Sequence, residues 1–314
     1  MASYILKRLV SMVPVLLLVS MLIFSLMHLT PGDPVLAMLG EEATPEARDA
    51  LRRQLGLDRS LPVQYGAWLL RVVSGDLGRS IRSNQPVSEA IGERLPITME
   101  LAALSMFVAL IIAIPAGIVS ATRRGSAADM ASTVFSLLGI STPNFLLAVL
   151  LVFVFSLQLR LLPPIGYTSP TLDLGANLKG MLMPAITLGA FAAAAIARMM
   201  RSTLLEVLSQ DYVRTAWAKG LGERAVVRRH ALKNALIPVV TVVGLQLGNL
   251  LGSAIVTETI FALPGVGRLV VDSIFQRDLP LVQGVVLYLA IIFLVVNLLV
   301  DILYAYLDPR IRYG

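Results

Sequence analysis

The residues with the most chemistry to offer lie at 211–238, DYVRTAWAKGLGERAVVRRHALKNALIP. Arg214, Lys219, Arg224, Arg228, Arg229 and Lys233 are basic, and His230 is so when protonated. Such a run can hold phosphates. Its spacing is that of helix, glycine, helix. Asp211 can cap a short helix over 212–219, and Gly220 stops it in the left-handed conformation that glycine adopts without steric cost. Glu223 opens a second helix that runs through Ala235 towards Pro238. Tyr212, Ala216 and Trp217 on the first helix would suit burial in a partner's groove. In a soluble chain the pattern would suggest DNA. Here apolar runs flank it on both sides, which sets nucleic acid aside and makes membrane lipid phosphate a compatible ligand.

A second set consists of uncharged polar residues inside apolar runs: Asn144, Gln246, Asn249, Gln283 and Asn297. Each either satisfies a neighbouring helix or lines a path for a polar solute, with Asn144, Gln246 and Asn249 the candidates for the path. Glu100, Glu258 and Asp301 stand near the ends of apolar runs, where they are expected to reach water. An ion-coupled carrier usually holds its charges nearer the midplane. Catalytic chemistry has little to work with. There is no cysteine, and the two histidines, His28 and His230, are far apart. No G-x-x-x-x-G-K-[ST], H-E-x-x-H or G-x-S-x-G occurs, so neither catalytic residues nor a metal site are expected and ATP hydrolysis is not expected of this chain.

The elements that position these residues follow from composition. The chain has 314 residues, 56% hydrophobic and only 15% charged, with a net charge of +6. Soluble domains carry roughly a quarter charged residues, so lipid is the solvent for much of this chain. Six runs reach spanning length or near it: 9–29, 98–120, 131–159, 181–197, 236–256 and 281–303. The first is too long for a signal-peptide core and lacks a small-x-small cleavage site, so it is read as a retained helix. The third is too long for one straight crossing and contains Ser141-Thr142-Pro143-Asn144, where proline removes a helix hydrogen bond. A packed kink and a pore-lining bend both fit. The fourth is short and alanine-rich.

Lys7, Arg8, Arg123, Arg124, Arg310, Arg312 and the basic run fall on one side of these spans, which puts both termini in the cytoplasm. The segment 30–97 then lies outside. Thr44-Pro45-Glu46 starts a helix there, Gly56 stops it, and 62–73 forms a second one bearing Trp68. This segment is either a cap on the helix ends or a docking surface.

The run at 211–220 resembles the cytoplasmic E-A-A-x-x-x-G signature of ABC importer permeases. Y-V-R-T-A-W-A-K-G-L followed by H-A-L-K-N-A-L-I-P-V-V-T is similar to the branch that serves dipeptides and oligopeptides. Further matches extend it over nearly the whole chain: Pro31-Gly32-Asp33-Pro34, Leu55-Gly56-Leu57-Asp58, Gly75-Asp76-Leu77-Gly78, Arg94-Leu95-Pro96, Glu258 and Phe261 with Pro264-Gly265-Val266-Gly267-Arg268, and Leu307-Asp308-Pro309-Arg310. Arg214-Thr215-Ala216 stand where the signature has E-A-A, and Gly220 is its glycine. Lys233 replaces the proline of the later I-x-L-P element.

The resemblance implies an all-α integral membrane protein of six transmembrane helices with the type I ABC importer permease fold. It places a first helix and outer segment at 1–93, a transport core at 94–305 and a tail at 306–314. The location would be the bacterial inner membrane. Tyr212, Arg214, Thr215, Ala216, Trp217 and Gly220 would couple the chain to an ATPase. Implied partners are a second homologous permease subunit, two ATP-binding subunits that carry ATP and Mg, and an extracytoplasmic solute-binding protein. The implied solutes are peptides, or alternatively glutathione, nickel chelates or opines. Two readings from other classes stay open: a membrane anchor for a cytoplasmic ATPase, and an ion-coupled carrier.

Overall fold

The computed structural model describes residues 2–29, 35, 44–54 and 56–307. The PGDP match at 31–34, Leu55 and the tail from 308 lie outside the described residues. The regular elements among the described residues are helices: α1 (Ala2–Leu29), α2 (Pro45–Gln54), α3 (Leu61–Val73), α4 (Val87–Thr122), α5 (Ala127–Ser141), α6 (Asn144–Leu151), α7 (Leu174–Leu208), α8 (Asp211–Ala218), α9 (Leu232–Ile260), α10 (Val266–Phe275) and α11 (Leu279–Leu307). π-helical turns extend α6 over Val152–Gln158 and precede α9 over Val226–Ala231. Five helices are long and apolar enough to cross a membrane, or six spans if the bent pair α5 and α6 forms one. That pair turns by 108° at Thr142-Pro143, so the break expected there is far sharper than a kink.

The chain divides into two compact units. One holds residues 97–268 and the stretch from 295 onward, and the other holds 2–96 with 269–294. The segment 269–294 therefore groups with the N-terminal region and not with the remainder of the C-terminal half.

In the first unit the alanine-rich run is the hub. It extends well beyond 181–197 to the 35 residues of α7, and Ala192, Ala193, Ala194 and Ala197 are all buried, so this stretch is enclosed on most sides. Between helices in lipid the gain comes from close packing, which small residues permit. A Cβ on Gly189 would stand 2.5 Å from the Ser105 carbonyl oxygen of α4, and one on Gly117 would stand 2.6 Å from Met200 of α7. At these two positions glycine is required by the approach of the neighbouring helix.

A polar clamp holds α5 to α7. Asp129, in the first turn of α5, accepts from Arg201 Nε at 2.8 Å and Arg201 Nη2 at 3.0 Å. It also accepts from the Ser120 hydroxyl and from the Gly125 N–H. The carboxylate is thus fully engaged and shielded, while Arg201 is partly exposed. Removing one partner of such a pair strands the other. Arg201→Ala is therefore expected to lower the thermal melting point, and adding Asp129→Asn to it should restore part of the loss. Melts of the purified chain check this, and an additive double variant would refute the clamp.

In the second unit α1 packs on α3. Ser20 Oγ and the Tyr65 hydroxyl are 2.8 Å apart, and Phe24 meets Tyr65 edge-on with centroids 5.4 Å apart. Asp278, buried, accepts from the Ser80 hydroxyl and the Ile81 N–H and so pins the loop before α4.

Candidate functional site

Helix α8 has only eight residues, and its pattern is strictly two-sided. Val213 and Ala216, three apart, share one face and pack with Val226, Val207 and Leu208. Tyr212, Arg214, Thr215 and Trp217 are exposed, with Tyr212 and Trp217 each 44% accessible despite their size. Ala216 is 5% accessible and is part of the helix's own base, which corrects its expected place in a partner's groove. The reason is helical periodicity: a residue three after a buried valine falls on the same face.

The ends of α8 are set locally. Gln210, and not Asp211, occupies the N-cap position, and Asp211 begins the helix with its side chain facing Arg214 at 3.5 Å. Both groups of that pair are largely exposed, so it adds little. At the other end Gly220 has φ +79° and donates its N–H to the Trp217 carbonyl at 2.9 Å. Nothing lies within 4 Å of where its Cβ would be, so backbone conformation and not crowding selects glycine.

Beyond Gly220 the chain re-enters helix at Glu223 and passes without a stop to Ile260. The Asn234 side chain donates to the Tyr212 hydroxyl at 2.8 Å and fastens the tip of α8 to the base of the long helix. Their separation of 22 positions leaves no local sequence signal for this bond. Lys219, Arg224, Arg228, Arg229 and Lys233 are all exposed around this base. The outcome is a short rigid knob with two aromatics outward, ringed by positive charge.

The candidate path residues divide. Gln246 and Asn249 sit one turn apart on α9, Gln246 buried and Asn249 exposed, with Asn249 Nδ2 donating to Gln246 Oε1 at 3.3 Å. Asn144 is the first residue of α6, half-buried at the sharp break, and among the described residues no hydrogen bond joins it to the other two.

Glu258 departs from expectation most. It is 0% exposed and does not reach water. Thr98 Oγ1 donates to Glu258 Oε1 at 2.6 Å, and the Arg268 N–H donates to Oε2 at 2.9 Å. Val266 N–H in turn donates to Thr98 Oγ1 at 2.9 Å. Pro264-Gly265 and the first turn of α10 (Val266-Gly267-Arg268) fold back over the carboxylate so closely that a Cβ on Gly265 would stand 2.2 Å from Glu258 Cδ. The glycine pair beside a glutamate was the available signal. Nearby, Glu100 accepts from the Tyr167 hydroxyl at 2.8 Å and from Asn177 Nδ2 at 2.7 Å. Burial, and then the bond to Glu100, push the Tyr167 hydroxyl up to about 12, so it stays a donor throughout the physiological range.

With this geometry in hand, residues 113–313 match the family described as binding-protein-dependent transport system inner membrane component. The chain belongs to that family. Residues 1–102 match its N-terminal companion. Among relatives of this permease, the dipeptide transport system permease protein DppB of Alkalihalophilus pseudofirmus is 44% identical over 333 residues, covering all of both chains. The glutathione transport system permease protein GsiC of Escherichia coli is 44% identical over 313 residues, again covering both in full. A chain of the inward-facing MetNI methionine ABC transporter shares the permease fold at TM-score 0.58 and 19% identity, covering 70% of this chain and 96% of that one. Family and apolar helices together make this a multi-pass inner membrane protein.

Proposed function

We propose that this permease is one half of the membrane path of a heteromeric ATP-driven importer for short peptides. Its partners would be a second, similar permease chain, two ATP-binding subunits that carry ATP and Mg, and an external binding protein that delivers the solute. The transport core would span 94–305, with 1–93 as a branch-specific addition, 306–314 as a tail and both termini in the cytoplasm. The observation that carries the reading is α8. A helix of eight residues has little stability of its own. Here it is fixed by Val213 and Ala216 beneath and by Asn234 at its tip, while Tyr212 and Trp217 are held outward. Leaving two large aromatics exposed on a rigid support suits a groove in another protein.

In this reading α8 is the coupling helix. Closure of the ATP-binding subunits moves it, and the motion rocks the spans between inward- and outward-facing states. Gln246, Asn249 and Asn144 are the proposed path residues, with Asn249 presenting its amide and Gln246 orienting it. The 44% identity to GsiC favours glutathione, itself a tripeptide, as the second candidate solute.

The test is a mild-detergent pull-down of the tagged chain with ATPase activity measured on the co-purified material. Wild type should bring down an ATPase. Tyr212→Ala with Trp217→Ala should weaken that association by about thirtyfold, the scale of truncating an aromatic hot spot worth ~2 kcal/mol. Capture unchanged in the double variant would remove α8 from the interface.

A further inference from the structure

The unit formed by residues 2–96 and 269–294 contains a cleft of about 880 Å3 whose lining includes no residue of α8 and none of the path residues. Its size is that of a small-ligand site, for which roughly 300–1,000 Å3 is usual. Four arginines line it, Arg53, Arg59, Arg71 and Arg79, against one carboxylate, Asp76. Arg79 donates to the Asn84 carbonyl at 2.8 Å and Arg53 to the Asp49 carbonyl at 3.3 Å, bonds that orient their guanidinium groups without neutralising them. Asp76 is already engaged, accepting from the Gly78 N–H at 2.9 Å. Arg59 and Arg71 are exposed, and among the described residues no ion pair engages either of them. Like charges gathered on one concave wall raise the local concentration of an anion.

Two further features define the ligand. Trp68, tilted against Phe24 with centroids 5.9 Å apart, supplies an apolar wall. Gln283 on α11 also lines the cleft, is 6% exposed, and its Nε2 has no hydrogen-bond partner among the described residues. A buried amide donor left unsatisfied is costly and calls for an acceptor. The cleft thus asks for an anionic group, an apolar group and a carbonyl-type acceptor in one small molecule.

We propose that this cleft binds a short peptide by its C-terminal carboxylate. Arg59 and Arg71 hold the carboxylate in charge-assisted hydrogen bonds, an adjoining side chain lies against Trp68, and Gln283 donates to a peptide carbonyl. The inference rests on the peptide reading above and adds to it a solute site on the permease itself. Selection for a free C-terminus would then be made by this chain itself.

The experiment uses the permease complex in lipid nanodiscs, without the external binding protein, and measures equilibrium binding of tritiated Ala-Ala-Phe and of its C-terminal amide. The acid should bind at least about tenfold more tightly than the amide, and Arg59→Gln with Arg71→Gln should abolish the difference. Gln283→Leu should weaken both forms, since the carbonyl contact is common to them. Equal binding of acid and amide to the wild type, or a preference that survives the double variant, overturns the proposal. So does an outcome in which neither peptide binds to the wild type. ATPase co-purification in the same preparations reports on the importer reading independently, so failure of the cleft and failure of the importer are distinguishable.

Discussion

Gly220→Pro should reduce solute uptake to about one per cent of wild type or less, while the protein still reaches the membrane. Gly220 has φ +79°, and proline is fixed near −65°, so the turn that ends α8 cannot form around it. The substitution also deletes the N–H that closes on the Trp217 carbonyl. A loss of ~3 kcal/mol from the presented conformation lowers its population by roughly a hundredfold. Gly220→Ala is the control. There is open space for its Cβ, so only the left-handed backbone penalty of ~1–2 kcal/mol applies, and uptake should fall partway. Thr215→Glu, at an exposed position of α8, should uncouple hydrolysis from uptake without altering the helix base. Uptake and ATPase rates in proteoliposomes, with membrane content measured in parallel, check all three. Full uptake in Gly220→Pro would remove α8 from the transmission path.

Glu258→Ala should destabilise the permease by at least about 3 kcal/mol, the sum expected for losing two buried hydrogen bonds to a carboxyl group. Thr98 Oγ1 and the Arg268 N–H would both lose their acceptor inside the protein. Glu258→Gln keeps an acceptor oxygen and the same volume, so it should cost clearly less. Gly265→Val attacks the same cradle from the other side. With Cβ 2.2 Å from Glu258 Cδ, the loop or the carboxylate must move, and a branched side chain adds two further methyl groups to the collision. Denaturation of the detergent-solubilised chain, followed by Trp fluorescence, reads the order Ala and Val below Gln below wild type. A Glu258→Ala protein as stable as wild type would refute a structural role for the cradle.

The contrast between α8 and Glu258 shows where sequence reasoning holds and where it fails. The break at Gly220, the re-entry at Glu223 and the outward aromatics of α8 are local matters of three or four residues, set by backbone freedom and helical periodicity. The same periodicity, applied with Val213 in view, would have turned Ala216 inward. Glu258 reads as a residue at a span end near water because linear distance to the end is all a sequence offers. Its partners are Thr98, 160 residues before it, and Arg268 in the first turn of α10, ten residues after it. Tyr212 and Asn234 are joined in the same way across a turn. The 108° bend was legible as Pro143 in an overlong apolar run, but its size was not.

The sequence by itself determined that this chain is an all-helical membrane protein, roughly where its spans lie, that its short basic helix ends at Gly220, and which family it resembles. These follow from hydropathy over about 20 residues, from proline and glycine backbone limits, and from ordered motifs along the chain. Only the tertiary structure decided that α7 is the hub of one unit, that Asp129 and Arg201 clamp two helices, that Glu258 is sealed from water, and that four arginines, Trp68 and Gln283 line one cleft. Each of these brings together groups distant in the chain. Their energies come from close approach and from the exclusion of water, and neither is encoded in local spacing.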